Sequence, residues 1–524
     1  MFIINDGRGN SGHMSELDAY KNMQVYFGDL HSHNQIGYGH GKPEQAFANA
    51  RLQLDFCSLT AHSSWPDMPV GEPRLEWLVD YHQRGFEKTA QGWRRLLEIT
   101  EENYHPGKFV TFPGFEWHSN AYGDHNIYYR QPYEQILRAA TLEELRIKLR
   151  ELKSRGIDAI VVPHHIAYKA GYRGIDWNYF SPEFSPIVEI LSMHGLGESD
   201  QAPFPYLLPM GPRHGGSTMH AGLKQGKVFG VIGSTDHHSS WPGSYGHGRA
   251  GIWANELTRD GLWQAILARR TYALTGDRIR LAFSVDGHPM GTELSNLRGK
   301  PKTQHPHEIV LEVQAPSRID YAEVLYRNCV IRRFTPPDQD RIDWTHPVWV
   351  KIELGWGENF DRENWQSSIS VEDGMLVGVE PHFRGQEIVA HQGDKEPEIP
   401  SSNFEWIDDH HVYFSTQTWR NLTGSTASTQ GITLCIKGKP QTRLHAQLNG
   451  VHFETSLAEL SQGNQTGYIG GFVSPAFCFH KLVSKPECTL RKAFNHQPGE
   501  SSGWYTARVI QKNGQGAWSS PVWV

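Results

Sequence analysis

The sequence lacks several features that mark common classes of protein. It has few cysteines, five in 524 residues, and no Cys-x-x-Cys pair, so we expect neither a disulfide framework nor a thiolate zinc site. It contains no apolar run of about 18 residues, which a membrane-spanning helix requires, and its polar start shows no secretory signal pattern. These absences predict a cytoplasmic protein with no membrane partner.

An excess of positive charge is also lacking, because the formal net charge is −7. A protein held on nucleic acid by charge needs a basic face, so no nucleic-acid partner is expected. The sequence does contain enough hydrophobic (38%) and aromatic (11%) residues for packed cores. Its length predicts two or three domains.

Residues 22–275 alternate short apolar runs with helical patterns, which favours a β/α domain. Pro43 marks the start of a predicted helix over 43–53, and Thr141 with Glu144 forms a capping box for a helix over about 141–155. A third helix is predicted from Thr258 to about residue 270. The predicted strands are 25–27, 54–60, 108–112, 126–129, 157–162, 187–191 and 228–232. Residues 1–21 then form an N-terminal extension.

After about residue 276 alternating strands separated by turn residues dominate, and few helical patterns occur. This pattern predicts a β-sandwich-like domain over residues 276–524. Residues 340–410 are interpreted as an insertion or extra hairpins in that domain. The Asn513-Gly514 pair predicts a closing hairpin.

Residues able to bind metals occur beside the predicted strands of the first domain. His31 and His33, His62, Glu116, His164 and His165, and Asp236 and His238 follow strands, whereas His125 precedes one. The carboxyl ends of the strands of a β/α barrel meet at one face, where sites are built. Mn, Zn and Fe accept mixed histidine and carboxylate ligands. Since the ligands exceed one tetrahedral site, we predict two or three divalent ions.

The order of these segments resembles that of the PHP (polymerase and histidinol phosphatase) superfamily of metallohydrolases, over about residues 22–275. The matching segments are 28–33 (GDLHSH), 54–62 (LDFCSLTAH), 113–116 (PGFE), 123–126 (GDHN), 162–165 (VPHH) and 233–238 (GSTDHH). Ala61 departs from the pattern, since relatives usually have aspartate there. The resemblance implies an α/β fold, a distorted (β/α)7 barrel. The added sandwich is similar to a stand-alone branch that includes a carbamate-hydrolysing enzyme.

Carried over residue by residue, the resemblance also implies the metal ligands. They are His31, His33, His40, His62, Glu116, His125, His164, Asp236 and His238. His40 stands where many relatives have an acidic residue and some have a ligand histidine. His164 is preferred to His165, and the choice stays open. The residues expected to take part in catalysis are His31, His33, Glu116, Asp236 and His238.

The predicted activity is that of a metal-dependent hydrolase. Bound metals lower the pKa of water from 15.7 toward about 7, and the resulting hydroxide would attack a phosphorus or carbonyl centre. Our first hypothesis is a phosphoesterase acting on a small, anionic substrate. The second is hydrolysis of a carboxylic ester, carbamate or glycosidic bond, and the third is a non-catalytic module that binds carbohydrate or protein. The leaving-group acid and the oligomeric state do not follow from the sequence.

Cations in loops near the ligand motifs are candidates for substrate binding, although loop cations are usually only solvated. The candidates are Lys169, Arg173, Arg213, His214 and Arg249. His118 and His247 are interpreted as ordinary polar loop residues, and His237 as pointing away from the metals. Glu189 and His194 could line the pocket, but core or supporting roles are favoured.

Overall fold

The computed structural model describes residues 17–204, 206, 210–294, 305–337, 341–356, 362–386, 398–419, 428–499 and 502–524. Residues 1–16 of the predicted extension therefore lie outside the described residues. The described α-helices are α1 Pro43–Gln53, α2 Glu76–Glu102, α3 Leu142–Ser154, α4 Met219–Lys224, α5 Arg259–Leu267, α6 Leu457–Gln462 and α7 Lys485–Cys488. None of the described helices is long and apolar enough to cross a membrane.

The strands fall into a group before residue 275 and a larger group after it. The first group is β1 Gln24–Asp29, β2 Phe56–Ser64, β3 Val110–Trp117, β4 His125–Tyr129, β5 Ala159–Pro163, β6 Ile187–Ser192, β7 Gly195–Leu196, β8 Gly230–Gly233, β9 Arg249–Ala254 and β10 Thr271–Leu274. The second group starts with β11 Arg280–Val285, β12 His288–Pro289, β13 His307–Gln314, β14 Ile319–Tyr326, β15 Cys329–Phe334, β16 Val348–Trp356, β17 Glu363–Glu372, β18 Met375–Pro381, β19 Asn403–Trp406 and β20 His411–Thr418. It ends with β21 Gln430–Lys437, β22 Arg443–Leu448, β23 Val451–Ser456, β24 Gln465–Tyr468, β25 Ala476–Phe479, β26 Val483–Ser484, β27 Thr489–His496, β28 Trp504–Gln511, β29 Gly516–Ser519 and β30 Val522–Trp523.

The helix signals in the sequence act as predicted. Pro43 occupies the first turn of α1, where its missing N–H costs nothing. The Thr141 side chain accepts a hydrogen bond from the Glu144 backbone N–H at the start of α3, and Thr258 caps α5 in the same way. The 27-residue helix α2 was not predicted. The predicted strand 108–112 ends too early, because β3 continues through Pro113 and Gly114 to Trp117.

The N-terminal region contains parallel strands but does not form a closed barrel among the described residues. Strands β1, β2 and β3 pair in parallel, whereas β4 is antiparallel to β3 and to β5. Strands β6, β7 and β8 form a separate sheet. The connection from β3 to β4 contains no helix, so it reverses the chain in the manner of an antiparallel pair. The structure therefore shows a mixed α/β region where the resemblance implied a (β/α)7 barrel.

The C-terminal region is built of antiparallel sheets, as the alternating pattern predicted. One sheet has the order β18-β21-β16-β25-β24 and another has the order β19-β20-β17-β22-β23. They share an apolar core that includes Val350, Trp365, Phe414 and Leu434, so most of the predicted insertion belongs to this pair of sheets. Residues 340, 357–361 and 387–397 of it lie outside the described residues.

The largest sheet crosses the predicted domain boundary near residue 275. Strands β28 and β29 form the predicted Asn513-Gly514 hairpin, and β29 pairs with β10. Strand β10 pairs with β9, which pairs with β1. Phe27 and Trp253 share one apolar core with Leu311 and Val509. The domain boundary remains a prediction.

Candidate metal centre

The polar cluster forms at the carboxyl ends of neighbouring strands of the N-terminal region. His31 and His33 lie just after β1, and Asp236 and His238 lie just after β8. His62 and Glu116 lie within β2 and β3, where they are direct partners in the parallel ladder. Each of these residues is at least 94% buried. Strand register therefore brings residues from distant parts of the sequence to one enclosed position.

Asp236 is the first centre of close contacts in this cluster. Its Oδ1 lies 3.1 Å from His31 Nε2 and 2.8 Å from His33 Nε2. The two imidazole nitrogens are themselves 3.1 Å apart. Three potential ligand atoms thus surround one point in the interior of the protein.

Glu116 is the second residue around which close contacts gather in this cluster. Its Oε1 lies 3.0 Å from His164 Nε2, and its Oε2 lies 3.3 Å from His62 Nε2 and 3.4 Å from His33 Nε2. His238 joins His33 and His62 in a further group whose nitrogens all lie within 4.8 Å of one another. One continuous cluster therefore contains several adjacent positions that could hold a metal ion.

The spacing and chemistry of the donors fit divalent metals. Zinc–nitrogen bonds are about 2.0–2.1 Å long, so ligand atoms around one tetrahedral ion lie roughly 3.3 Å apart, close to the separations in this cluster. Glu116 Oε2 and Asp236 Oδ2 are buried and have no hydrogen-bond partner among the described residues. Buried polar atoms are normally paired, so these carboxylate oxygens, which face the imidazoles, also favour a bound group.

The electrostatics keep both carboxylates and the imidazoles of His62 and His238 in the form that binds metals. Burial raises the pKa of Glu116, but the imidazoles of His118, His62 and His164 outweigh it and hold that pKa well below its usual value. Burial likewise opposes ionisation of Asp236, whose pKa is held low chiefly by His31. Burial lowers the pKa of His62 and of His238 far below the ordinary range. Ionised carboxylates and neutral imidazoles are the ligand forms that metals require.

His31 differs from the other imidazoles because two carboxylates surround it. Burial lowers its pKa, but Asp236 and Glu189 together hold it well above the ordinary value. The Nδ1 atom of His31 lies 3.0 Å from a Glu189 carboxylate oxygen, which leaves Nε2 directed at Asp236. A carboxylate behind a histidine is the usual support for a metal-binding imidazole.

The loops that hold the cluster are tied together by Asp29. This buried carboxylate accepts hydrogen bonds from the backbone N–H groups of His31, Thr235 and Gly243, and from the Thr235 hydroxyl. Burial raises the pKa of Asp29 to about 6, and the hydrogen bonds oppose that shift. One side chain thus fixes the segment after β1 against the segment after β8.

Two of the predicted ligands lie apart from the contacts of Asp236 and Glu116 described above. His40 is buried, and its backbone N–H donates to the His238 carbonyl at 2.7 Å. His125 is buried with its Nδ1 2.9 Å from the Gly123 carbonyl oxygen. The role of these two histidines as ligands remains a prediction.

The structure adds four side chains to the cluster. His118 lies with His62 and Glu116, Asp124 lies with His164 and His165, and His165 and His194 both contact Asp236. The interpretation of His118 as an ordinary loop residue is wrong, since it is fully buried. Its position two residues after Glu116 repeats the spacing of His31 and His33, and this signal was available in the sequence. His247 is also buried, with its ring 5.7 Å from that of His237.

The five predicted substrate-binding residues occupy different environments. Arg173 lies at the cluster, donating to Asp124 Oδ2 at 2.7 Å and contacting His118 Nδ1 at 2.7 Å. Arg249 is completely buried and donates to the carbonyls of Gly243 and Gly276, so we remove it from the substrate-binding group. Arg213 also donates to backbone carbonyls, those of Ser199 and Ala202. Lys169 and His214 are exposed.

Comparison with known proteins gives relatives without an assigned function. Residues 61–172 and 244–296 match a family described as "Protein of unknown function (DUF3604)". An uncharacterized protein of Chlamydia pneumoniae is 27% identical over 273 residues, which is 50% of this chain and 43% of the relative. An uncharacterized protein of Chlamydia trachomatis is 29% identical over 195 residues, or 35% of this chain and 31% of the relative. The chain thus spans less than half the length of these relatives.

Among solved structures, the chain is similar to a two-domain protein of Bacteroides vulgatus, described as containing a predicted PHP-like metal-dependent phosphoesterase. The match covers 92% of this chain and 98% of that chain, at 12% identity. Its TM-score is 0.32, and at this value the likeness carries no argument about fold or function. The chain is therefore similar to the family of unknown function described above, and the candidate metal centre stands on its own geometry.

Proposed function

We propose that the protein is a metal-dependent hydrolase, and that its substrate is a phosphate ester. The observation that carries the proposal is the pair of buried carboxylates, Glu116 and Asp236, each within 3.4 Å of two or more imidazole nitrogens. Paired carboxylates shared among histidines are suited to hold two or three divalent ions such as Mn, Zn or Fe.

The side chains of the cluster have separate tasks in this proposal. His31, His33 and Asp236 would hold one ion, and Glu116 with His164 and His62 would hold its neighbour. His40, His125 and His238 complete the proposed ligands. Bound ions would supply a water of lowered pKa and neutralise negative charge on the substrate oxygens. The protein keeps bulk water away from this position, which strengthens every charge interaction within it.

Arg173 is the proposed contact for an anionic substrate. Asp124 and His118 hold its guanidinium, and His118 Nδ1 lies 3.2 Å from Glu116 Oε1. Asp124 is the largest favourable influence on Arg173 and raises its pKa against the opposing effect of burial. The guanidinium therefore remains charged beside the proposed ions.

A second candidate is hydrolysis of a carboxylic ester, carbamate or glycosidic bond by the same centre. This candidate is favoured because three of the predicted substrate-binding cations already have partners within the protein. Arg249 and Arg213 donate to backbone carbonyls, and Arg173 pairs with Asp124. A substrate with less negative charge would need fewer free cations.

Lys169 and His214, both exposed, remain proposed contacts for the anionic substrate of the first candidate.

Elemental analysis and a substrate panel test the proposal together. Protein purified without chelator should contain bound transition metal and should hydrolyse a phosphomonoester or phosphodiester, and His31→Ala should abolish this activity. Turnover only of esters, carbamates or glycosides would replace the first candidate with the second. Protein that binds no metal after reconstitution would overturn both and favour the carbohydrate- or protein-binding module.

A further inference from the structure

Asp236 makes close contacts with both of its carboxylate oxygens, on two sides. Its Oδ1 faces His31 and His33, the pair expected from the sequence. Its Oδ2 lies 3.3 Å from His165 Nε2 and 3.1 Å from His194 Nε2. Asp236 therefore contacts two pairs of imidazoles, one pair at each carboxylate oxygen.

The second pair comes from two separate elements and is enclosed. His165 follows β5, and His194 lies in the turn between β6 and β7. Their exposed fractions are 4% and 6%. The ring centroids are 4.7 Å apart with the planes nearly perpendicular. The two Nε2 atoms therefore converge on Asp236 without the rings stacking on each other.

The backbone is strained at two of these three residues. His165 has φ +51° and Asp236 has φ +55°, a left-handed conformation that is uncommon for residues other than glycine. Such a conformation costs free energy and persists only where the surrounding structure enforces it. Backbone outliers of this kind cluster at active and ligand-binding sites.

His165 also carries an unpaired polar atom. Its Nδ1 is buried and has no hydrogen-bond partner among the described residues, so the ring is not held by the usual bond from its second nitrogen. His164, the preceding residue, points to Glu116 instead. The two adjacent histidines thus contact different carboxylates, although both also lie near Asp124.

We propose that His165, His194 and Asp236 bind a divalent cation additional to the one at His31 and His33, with Asp236 bridging the two ions. This inference rests on the proposed function, since it adds a position to the same centre. Two imidazoles and a carboxylate select zinc, manganese or iron. Three protein ligands leave a coordination position open to a substrate oxygen, the arrangement of a catalytic metal. Both His164 and His165 then act as ligands, at different ions.

The test is a count of metal ions per chain. The wild type and the double variant His165→Ala/His194→Ala are loaded with Co²⁺ or Zn²⁺, gel-filtered and analysed by mass spectrometry. The double variant should retain bound metal but hold one ion fewer per chain, and it should lose part of the visible absorption of the Co²⁺ form. His382→Ala is the matched control, because His382 is also buried but hydrogen-bonds to Thr433.

The outcomes separate this inference from the proposed function. If the wild type binds metal and the double variant shows the same metal count and the same Co²⁺ spectrum, the additional ion is overturned. The proposed hydrolase function is then unaffected. A wild type that binds no metal would overturn both. If the double variant fails to fold, His165→Gln and His194→Gln are measured singly against His382→Gln, and each should weaken the binding of one ion only.

Discussion

His62 and Glu116 are direct partners across the parallel strands β2 and β3, with Nε2 and Oε2 3.3 Å apart. Both side chains point to the same face of the sheet, toward the segments after β1 and β8. The pairing joins the histidine groups on either side, because Glu116 also contacts His33 and His164. Replacing this one carboxylate should affect more than one metal position.

Glu116→Gln should therefore lose metal and activity together. The amide keeps the shape of the side chain but removes the charge that faces the surrounding histidines. We expect at least one fewer ion per chain and no measurable turnover, determined by elemental analysis and steady-state kinetics. Glu143→Gln, at the exposed start of α3, is the control. A variant with full metal content and wild-type turnover would show that Glu116 is not a ligand.

Glu189→Gln should weaken metal binding without removing a ligand. Glu189 holds His31 through Nδ1, and loss of such a supporting carboxylate typically costs about 10–100-fold in metal affinity. The measurement is competition with a chelator of known affinity, compared with exposed Glu183→Gln. Wild-type affinity in Glu189→Gln, with the fold intact, would count against the supporting role.

Arg249→Met should reduce stability and leave substrate binding unaffected. The guanidinium pairs the buried carbonyls of Gly243 and Gly276, and each carbonyl left unpaired costs about 1–3 kcal/mol. Chemical denaturation, with Arg74→Met as the exposed control, measures this loss. A raised KM at unchanged stability would instead return Arg249 to the substrate-binding residues.

The stability of the protein should depend on the protonation of Glu380. Burial, with Asp277 nearby, raises the pKa of Glu380 to about 7, against about 4.3 in an unfolded chain. The folded state therefore binds this proton more tightly. The stabilisation is complete below about pH 4 and is lost as the pH rises through about 7.

Glu380→Gln tests that dependence, because glutamine can still accept the hydrogen bond from the Arg278 backbone N–H. The variant should gain unfolding free energy relative to wild type at pH 8, and the gain should shrink at pH 5. Denaturation at the two pH values is compared with exposed Glu405→Gln. A difference that is equal at both pH values would contradict the pKa shift.

Whether a residue of the candidate metal centre could be predicted from the sequence depended on its position relative to the strands. His31, His33, Asp236 and His238 sit at strand ends, where apolar runs reveal their position, and the structure brings them together as the pattern suggested. His194 also follows a predicted strand, 187–191, but a core or supporting role was favoured for it. It lies in a turn of the separate β6-β7-β8 sheet, and only the three-dimensional packing places that sheet beside β1.

Local rules failed where tertiary structure overrode them. Pro113 and Gly114 favour a turn in isolation, but β3 continues through them because β2 and β4 pair on either side. Arg249 looked like a loop cation, whereas β9 begins at this residue and buries it. The closed barrel implied by the resemblance depended on strand pairings that no short motif reports.

The hairpin of β28 and β29 has a consequence for how the protein is made. The Ser520 hydroxyl oxygen, just after β29, accepts a hydrogen bond from the backbone N–H of Val231 in β8. Asp236 follows that same strand. During translation, Asp236 is synthesised long before Ser520. The region that contains the candidate metal centre should therefore stay incompletely assembled during translation. A chain stalled before residue 504 should be more sensitive to protease than a chain that includes the hairpin.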